Sequence, residues 1–122
     1  MFRFFNLRVY QLAKQLQRKT IFLSREWPGE FGYLRHQLRR AVLSIVLNIA
    51  EGSGKPTKKD FARYIGNSLG SLHETVACFD TAREECPLAD SSVYEELVSE
   101  AEELQKQLGA FYKKLLFNPE RN

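Results

Sequence analysis

The chain has 122 residues, of which 43% are hydrophobic and 27% are charged, so it is long enough for one core and too apolar for intrinsic disorder. No segment reaches the roughly 18 consecutive apolar residues that a membrane span requires. The N-terminal stretch MFRFFNLRVY places charges inside an apolar pattern and offers no small-residue cleavage site, unlike a signal peptide. We therefore expect a cytoplasmic protein with no membrane partner.

The net charge of +3 is distributed unevenly along the chain. Residues 1–65 hold 13 Lys or Arg against 4 Asp or Glu, whereas residues 66–122 hold 5 against 11. A basic half and an acidic half suggest a polyanionic partner or head-to-tail self-association. The alternative is that the two halves complement each other within one fold.

The first predicted helix spans residues 5–26. Its apolar residues recur near heptad spacing, and they are Val9, Leu12, Leu16 and Leu23. The helix should end near Trp27, because Pro28 disfavours helical conformation in the residue before it and Gly29 tolerates a chain reversal.

The second predicted helix, residues 32–51, is apolar around most of its circumference. One stripe at helical spacing predicts its core face, and it consists of Leu34, Leu38, Val42, Ile45 and Ile49. Four further apolar residues lie off that stripe, namely Leu43, Val46, Leu47 and Ala50. A helix that is apolar nearly all round is buried on several sides. We therefore predict that these four residues contact another subunit.

The remaining face of the second helix is polar. Its hydrogen-bonding side chains recur at steps of three and four, and they are Gln37, Ser44, Asn48 and Glu51. A buried polar group without a partner costs roughly 1–3 kcal/mol. These side chains should therefore find hydrogen-bond partners on a neighbouring helix or subunit.

The third predicted helix, residues 58–85, has Thr57 as its N-cap, with Asp60 three residues later. The middle of this helix is unusually rich in small residues, namely Gly66, Ser68, Gly70 and Ser71. A glycine inside a helix costs about 1 kcal/mol relative to alanine. Their presence therefore suggests the close approach of another backbone.

The fourth predicted helix, residues 92–117, begins with Ser92 as N-cap and Glu95 completing a capping box. Its apolar residues form a heptad seam of Tyr94, Leu97, Ala101, Leu104, Leu108, Phe111 and Leu115. Residues 118–122 are expected to be a frayed end. Because the helices have short connections and no period-two strand pattern competes, the sequence predicts one all-α domain over residues 1–122, an antiparallel up-and-down four-helix bundle.

Residues suited to catalysis or metal binding are scarce. His36 and His73 lack a glutamate three residues earlier, so the Glu-x-x-His motif of metal-binding bundles is absent. Cys78 and Cys86 match no metal or redox spacing and are expected to be small buried residues. No nucleophile motif is present. We therefore expect a protein that is not an enzyme and uses no cofactor or metal.

The densest basic set combines cations at the turn between the second and third helices with three arginines of the second helix. Lysines crowd the N-terminus of the third helix, where the helix dipole favours phosphate. The predicted nucleic-acid-binding set is Lys55, Lys58, Lys59, Arg63, Arg35, Arg39 and Arg40. The alternatives are a solvated loop for the lysines and ion pairs with helix-four glutamates for Arg39 or Arg40.

Three stretches of the chain resemble a known protein family. They are Phe5-Asn6-Leu7 with Val9-Tyr10, the block from Gln37 to Gly52 that includes Arg39-Arg40, Ser44-Ile45 and Asn48-Ile49-Ala50-Glu51, and Ser71-Leu72 with Glu74. On these residues the chain resembles the bacterial four-helix-bundle proteins, also called the 23S ribosomal RNA intervening-sequence protein family. That family is related to the accessory variability determinant proteins of diversity-generating retroelements.

The resemblance implies a non-enzymatic homo-oligomer, specifically a homopentameric ring. In the retroelement relatives the ring is basic and binds nucleic acid and a reverse transcriptase, so RNA or DNA and such a protein are the partners it implies. Our leading hypothesis is a cytoplasmic scaffold that binds nucleic acid nonspecifically through a repeated basic surface. The alternative is a purely structural or protein–protein interaction ring.

Overall fold

A computed structural model of the chain describes residues 1–86 and 90–117. Its four α-helices are α1 (Arg8–Ser24), α2 (Gly32–Ser53), α3 (Lys58–Glu85) and α4 (Ser91–Phe117). Short 3-10 turns, Arg3–Asn6 and Gly29–Phe31, precede α1 and α2. No strand occurs in the described residues, so the prediction of an all-helical bundle with four helices is confirmed. The frayed end predicted for residues 118–122 lies outside them.

Each helix packs against the next in the chain, and α4 closes the arrangement by packing against α1. The α2–α3 pair forms the most extensive of these contacts. The predicted stripe on α2 is buried throughout, with Leu38, Ile45 and Ile49 fully excluded from solvent. Six of the seven seam residues of α4 are also buried, and Phe111 packs partly buried against the same core.

The first helix begins three residues later than predicted because the chain is extended at Leu7. The residues before it fold back as a 3-10 turn, in which the rings of Phe4 and Tyr10 lie 4.9 Å apart. The side-chain amide of Gln11 donates a hydrogen bond to the carbonyl oxygen of Phe5 at 3.1 Å. The aromatic segment is therefore held against α1 instead of extending it.

The N-caps of the last two helices differ in how well the sequence predicted them. Thr57 caps α3 as predicted, since its hydroxyl accepts from the backbone N–H of Asp60 at 3.1 Å. The prediction of Ser92 for α4 was wrong, because Asp90 takes that role and accepts from the backbone N–H of Ser92 at 3.0 Å. Hydrogen bonds from the Ser92 hydroxyl and backbone lower the pKa of the Asp90 carboxyl.

The polar face of α2 finds its partners on α3. The Ser44 and Ser71 hydroxyls lie 2.8 Å apart, and the Gln37 side-chain amide donates to Glu74 at 2.9 Å. The buried hydroxyl of Ser68 donates to a carbonyl oxygen of α2 at 2.9 Å. These contacts confirm that the face is paired, and they do so within a single chain.

The close backbone approach predicted at Gly66 and Gly70 does not occur within the chain. A Cβ at Gly70 would meet no atom within 4 Å, and one at Gly66 would make an ordinary 3.6 Å contact. The close approach occurs instead at Gly52, where a Cβ would lie 2.7 Å from the Cβ of Tyr64 and 2.9 Å from the ring of Phe61. Gly52 therefore lets the end of α2 touch the first turns of α3.

Two glycine substitutions should distinguish the tight contact at Gly52 from the open site at Gly70. We expect Gly52→Ala to lower the free energy of unfolding by about 1–3 kcal/mol, because the added methyl group overlaps α3. Gly70→Ala should raise it by up to about 1 kcal/mol, because alanine is the better helix former and the site is open. Urea denaturation followed by circular dichroism measures both. Equal effects of the two substitutions would contradict the assigned close approach.

Candidate nucleic-acid interface

The antiparallel helices gather one sign of charge at each end of the bundle. One end, which we call the basic end, comprises residues 1–10, 51–65 and 108–117 and carries 8 Lys or Arg against 2 Asp or Glu. The other, the acidic end, comprises residues 20–39, 78–86 and 90–97 and carries 4 against 8. The charge asymmetry along the sequence thus becomes a charge asymmetry along the bundle axis.

Aromatic contacts hold the parts of the basic end together. The guanidinium of Arg3 lies 5.3 Å from the ring centroid of Phe61, which joins the N-terminal segment to α3. The ring of Phe61 also meets Phe111 of α4 edge-on, with centroids 5.1 Å apart. Arg3 was absent from the predicted set, and nothing in its local sequence places it beside α3.

The four predicted residues of the α2–α3 turn lie together at this end. Lys55 Nζ and Arg63 Cζ lie 5.0 Å and 4.7 Å from the ring centroid of Tyr64. Each also forms a long ion pair on its own side of the turn, at 3.9 Å for Lys55 to Glu51 and 3.8 Å for Arg63 to Asp60. Lys58 and Lys59 open α3 beside them. This side of the bundle therefore gathers four cations, of which Lys55 and Arg63 form only long ion pairs.

Arg35 and Arg39 lie at the opposite end and face inward. Arg35 donates to the carbonyl oxygens of Ser24 and Trp27, at 3.2 Å and 2.7 Å. Arg39 donates to the Ser24 hydroxyl at 3.0 Å and to the carbonyl oxygen of Ile21 at 3.2 Å. Burial lowers the pKa of Arg39, and the nearby Arg35 and Arg25 lower it further. Both arginines thus hold the C-terminal carbonyls of α1.

The ion pairs also differ from those considered in the sequence. Arg40 pairs with Glu74 of α3 and not with a helix-four glutamate. The helix-four pairs belong to Lys19 of α1, which lies 2.7 Å from Glu100 and 3.4 Å from Glu96. The hydrogen bond to Glu100 is the main reason that the pKa of Lys19 is raised. Of the seven predicted residues, the structure brings together Lys55, Lys58, Lys59 and Arg63.

The predicted oligomer face is exposed at two of its four positions. Leu43 and Leu47 are 42% and 53% exposed, and Ala50 is half-buried. Val46 is buried in the hydrophobic core of the single chain. Its assignment to a subunit contact was therefore wrong. Beside Leu47 and Ala50, a groove of about 690 Å³ is lined by the N-terminal segment, including the exposed Phe2.

The cysteines and histidines of the described residues form no further site. Cys78 and Cys86 are free and buried, as predicted, and burial raises the pKa of the Cys78 thiol. Within the same residues, no group of three His, Cys, Asp or Glu side chains is placed to hold a metal ion. No helix there combines the length and apolarity that crossing a membrane requires.

A family model described as 23S rRNA-intervening sequence protein matches residues 5–110 of the chain. The chain belongs to this family. The match covers α1, α2, α3 and most of α4, and it includes the turn that carries the lysines. The similarity to the intervening-sequence protein family therefore extends over nearly the whole bundle. No curated protein matches the chain.

Stability measurements should distinguish the inward arginines from the outward ones. We expect Arg39→Ala to lower the free energy of unfolding by about 1–3 kcal/mol, because it leaves the buried Ser24 hydroxyl and an α1 carbonyl without this donor. Arg63→Ala should change it by less than about 0.5 kcal/mol, as is usual for exposed side chains. Chemical denaturation of both variants tests this. A neutral Arg39→Ala would contradict its structural assignment.

Proposed function

We propose that this member of the intervening-sequence protein family is a non-enzymatic, oligomeric helical scaffold that binds nucleic acid nonspecifically through its basic end. The observation that supports this most is the gathering of 8 Lys or Arg against 2 Asp or Glu within three adjacent segments. Such a concentration of one sign attracts a polyanion and raises its association rate. Arg35 and Arg39, which donate hydrogen bonds to carbonyl oxygens of α1, are not part of the proposed contact surface.

The composition of the basic end favours backbone contacts over base-specific reading. Its lysines lie on a turn and at the N-terminus of α3, where the positive end of the helix dipole adds to their charge. Phosphate contacts position a protein on nucleic acid without reading sequence. We therefore expect RNA and DNA to bind with affinities that fall steeply with salt.

An oligomer would repeat this surface. Leu43 and Leu47 lie one helical turn apart on α2 and expose apolar area that a partner could cover. Closed symmetry would place the basic ends of all copies at the same height around the axis. The pentameric ring that the family resemblance implies is therefore part of the proposal, with a reverse transcriptase-like protein as a candidate partner that would contact the assembled ring.

The oligomer face can be tested with one exposed leucine. We expect Leu47→Glu to leave the helical content unchanged, because the side chain is 53% exposed in the single chain, and to dissociate the oligomer by burying a charge in its contact. Phe22→Glu is the matched control, since Phe22 is 73% exposed and lies on α1. Light scattering on a size-exclusion column measures the mass of each variant.

The same column run at low and high salt distinguishes two kinds of assembly. An apolar contact survives high salt, whereas an assembly held by basic and acidic ends dissociates as the charges are screened. A wild-type protein that is monomeric at both salt concentrations would refute the oligomer. Loss of helical content in Leu47→Glu would show that this residue supports the fold.

Charge reversal tests the nucleic-acid surface. We expect Lys59→Glu with Arg63→Glu to weaken binding of a mixed-sequence oligonucleotide by roughly tenfold or more at low salt, and to reduce the slope of log affinity against log salt by roughly 1.5. The control reverses the same amount of charge elsewhere, with Arg18→Glu on α1 and Arg25→Glu at its C-cap, both exposed. Fluorescence anisotropy with a labelled oligonucleotide measures both quantities.

If both double variants lose affinity equally, net charge alone governs binding and the basic end is not the contact surface. If the wild-type protein binds neither RNA nor DNA, the nucleic-acid role is refuted. A stable oligomer would then favour the alternative of a protein–protein interaction ring.

A further inference from the structure

We propose that Tyr64 is a stacking position for an unpaired base, so that the basic end prefers single-stranded nucleic acid to duplex. This inference rests on the proposed nucleic-acid role and names the class of strand bound. It starts from an aromatic side chain beside the α2–α3 turn that the charge argument does not use. Tyr64 is a half-buried aromatic residue at the centre of the cationic cluster.

Two cations lie against the ring from different parts of the chain. Lys55 comes from the turn after α2, and its Nζ lies 5.0 Å from the ring centroid. Arg63 is the sequence neighbour of Tyr64, and its Cζ lies 4.7 Å from the centroid. Their side chains are 33% and 60% exposed. The half-buried ring of Tyr64 is therefore already in π contact with a planar guanidinium and an ammonium group, both of which are partly exposed to solvent.

The backbone of Tyr64 is held in place by the helix contact beneath it. Gly52 allows α2 to approach so closely that an added Cβ would lie 2.7 Å from the Cβ of Tyr64. Ser68, one turn further along α3, ties the same helix to α2 by a buried hydrogen bond of 2.9 Å. A ring mounted on such a fixed support loses little conformational freedom when a base stacks on it.

The arrangement matches the chemistry of an unpaired nucleotide. A base can stack on the guanidinium plane of Arg63 or replace it on the Tyr64 ring, since bases stack on both kinds of surface. In either position Lys55 and Arg63 remain close enough for the flanking phosphates. In a duplex, by contrast, the base faces are already stacked on each other, and only the phosphates are available to this cluster.

The experiment compares strands and matched variants. Binding is measured by fluorescence anisotropy at low salt for a mixed-sequence strand of about 15 nucleotides, within the span that single-strand-binding folds cover. The strand is offered as DNA, as RNA, as the DNA duplex and as an abasic DNA backbone of equal length. The variants are Tyr64→Leu and Tyr64→Phe, with Tyr33→Leu as control, because Tyr33 is 67% exposed at the acidic end.

We expect Tyr64→Leu to weaken single-strand binding by about fivefold or more, as loss of one stacked base does, and to change duplex binding by less than about twofold. Tyr64→Phe should restore wild-type affinity because it keeps the ring. Tyr33→Leu should leave every affinity unchanged. Wild-type protein should bind the abasic strand about as weakly as Tyr64→Leu binds the normal strand, and this comparison does not depend on the variant folding.

Equal affinity of the wild-type protein for normal and abasic strands would overturn the stacking position. If the double charge-reversal variant still lost binding in that case, the proposed nucleic-acid role would stand without it. A single-strand preference seen with RNA but not with DNA would also overturn it, because base stacking does not depend on the 2′-hydroxyl. Absence of binding to every strand would refute the nucleic-acid role and this inference together.

Discussion

The structure depends most on the close contact between α2 and α3. Gly52 removes the one Cβ that would hold the helices apart at the turn. Ser44, Ser68 and Ser71 carry small hydroxyls along the rest of the contact and pair across it. Small side chains let two helix backbones approach, and paired hydroxyls avoid the penalty of buried polar groups. The contact therefore positions the turn, the first residues of α3 and every cation mounted there.

The basic residues of this chain fall into two groups, which differ in the acceptors that their guanidinium or ammonium groups contact. Arg35 and Arg39 donate to carbonyl oxygens in the last turn of α1, those of Ser24 and Ile21, which the helix's own i+4 bonds do not reach. That end of α1 also carries the negative pole of its dipole, which favours a cation there. At the basic end, by contrast, Lys55 and Arg63 form long ion pairs with single carboxylates, at 3.9 Å and 3.8 Å. Arg35 and Arg39 therefore stabilise the fold, whereas Lys55 and Arg63 belong to the surface that we propose for a polyanionic partner.

Much of the fold could be predicted because helical periodicity reports which side of a helix is buried. The core stripe of α2 and the seam of α4 were predicted in this way, whereas the start of α3 was predicted from its N-cap, Thr57. Periodicity does not report which neighbour covers a given residue. Val46 therefore looked like a subunit contact although it lies in the chain's own core. Long side chains are harder still, since Arg39 and Arg40 are adjacent in sequence yet bind acceptors on α1 and α3.

The proposed assembly and the proposed binding impose conditions on each other. Closed symmetry brings like-charged basic ends together, and their repulsion opposes assembly at low salt. A polyanion that spans several basic ends would offset this repulsion, because it neutralises charges from more than one copy. By linkage, assembly must then raise the affinity for the polyanion by the same factor as the polyanion favours assembly. The uneven charge of this bundle would thus make nucleic-acid binding and ring formation two parts of a single equilibrium.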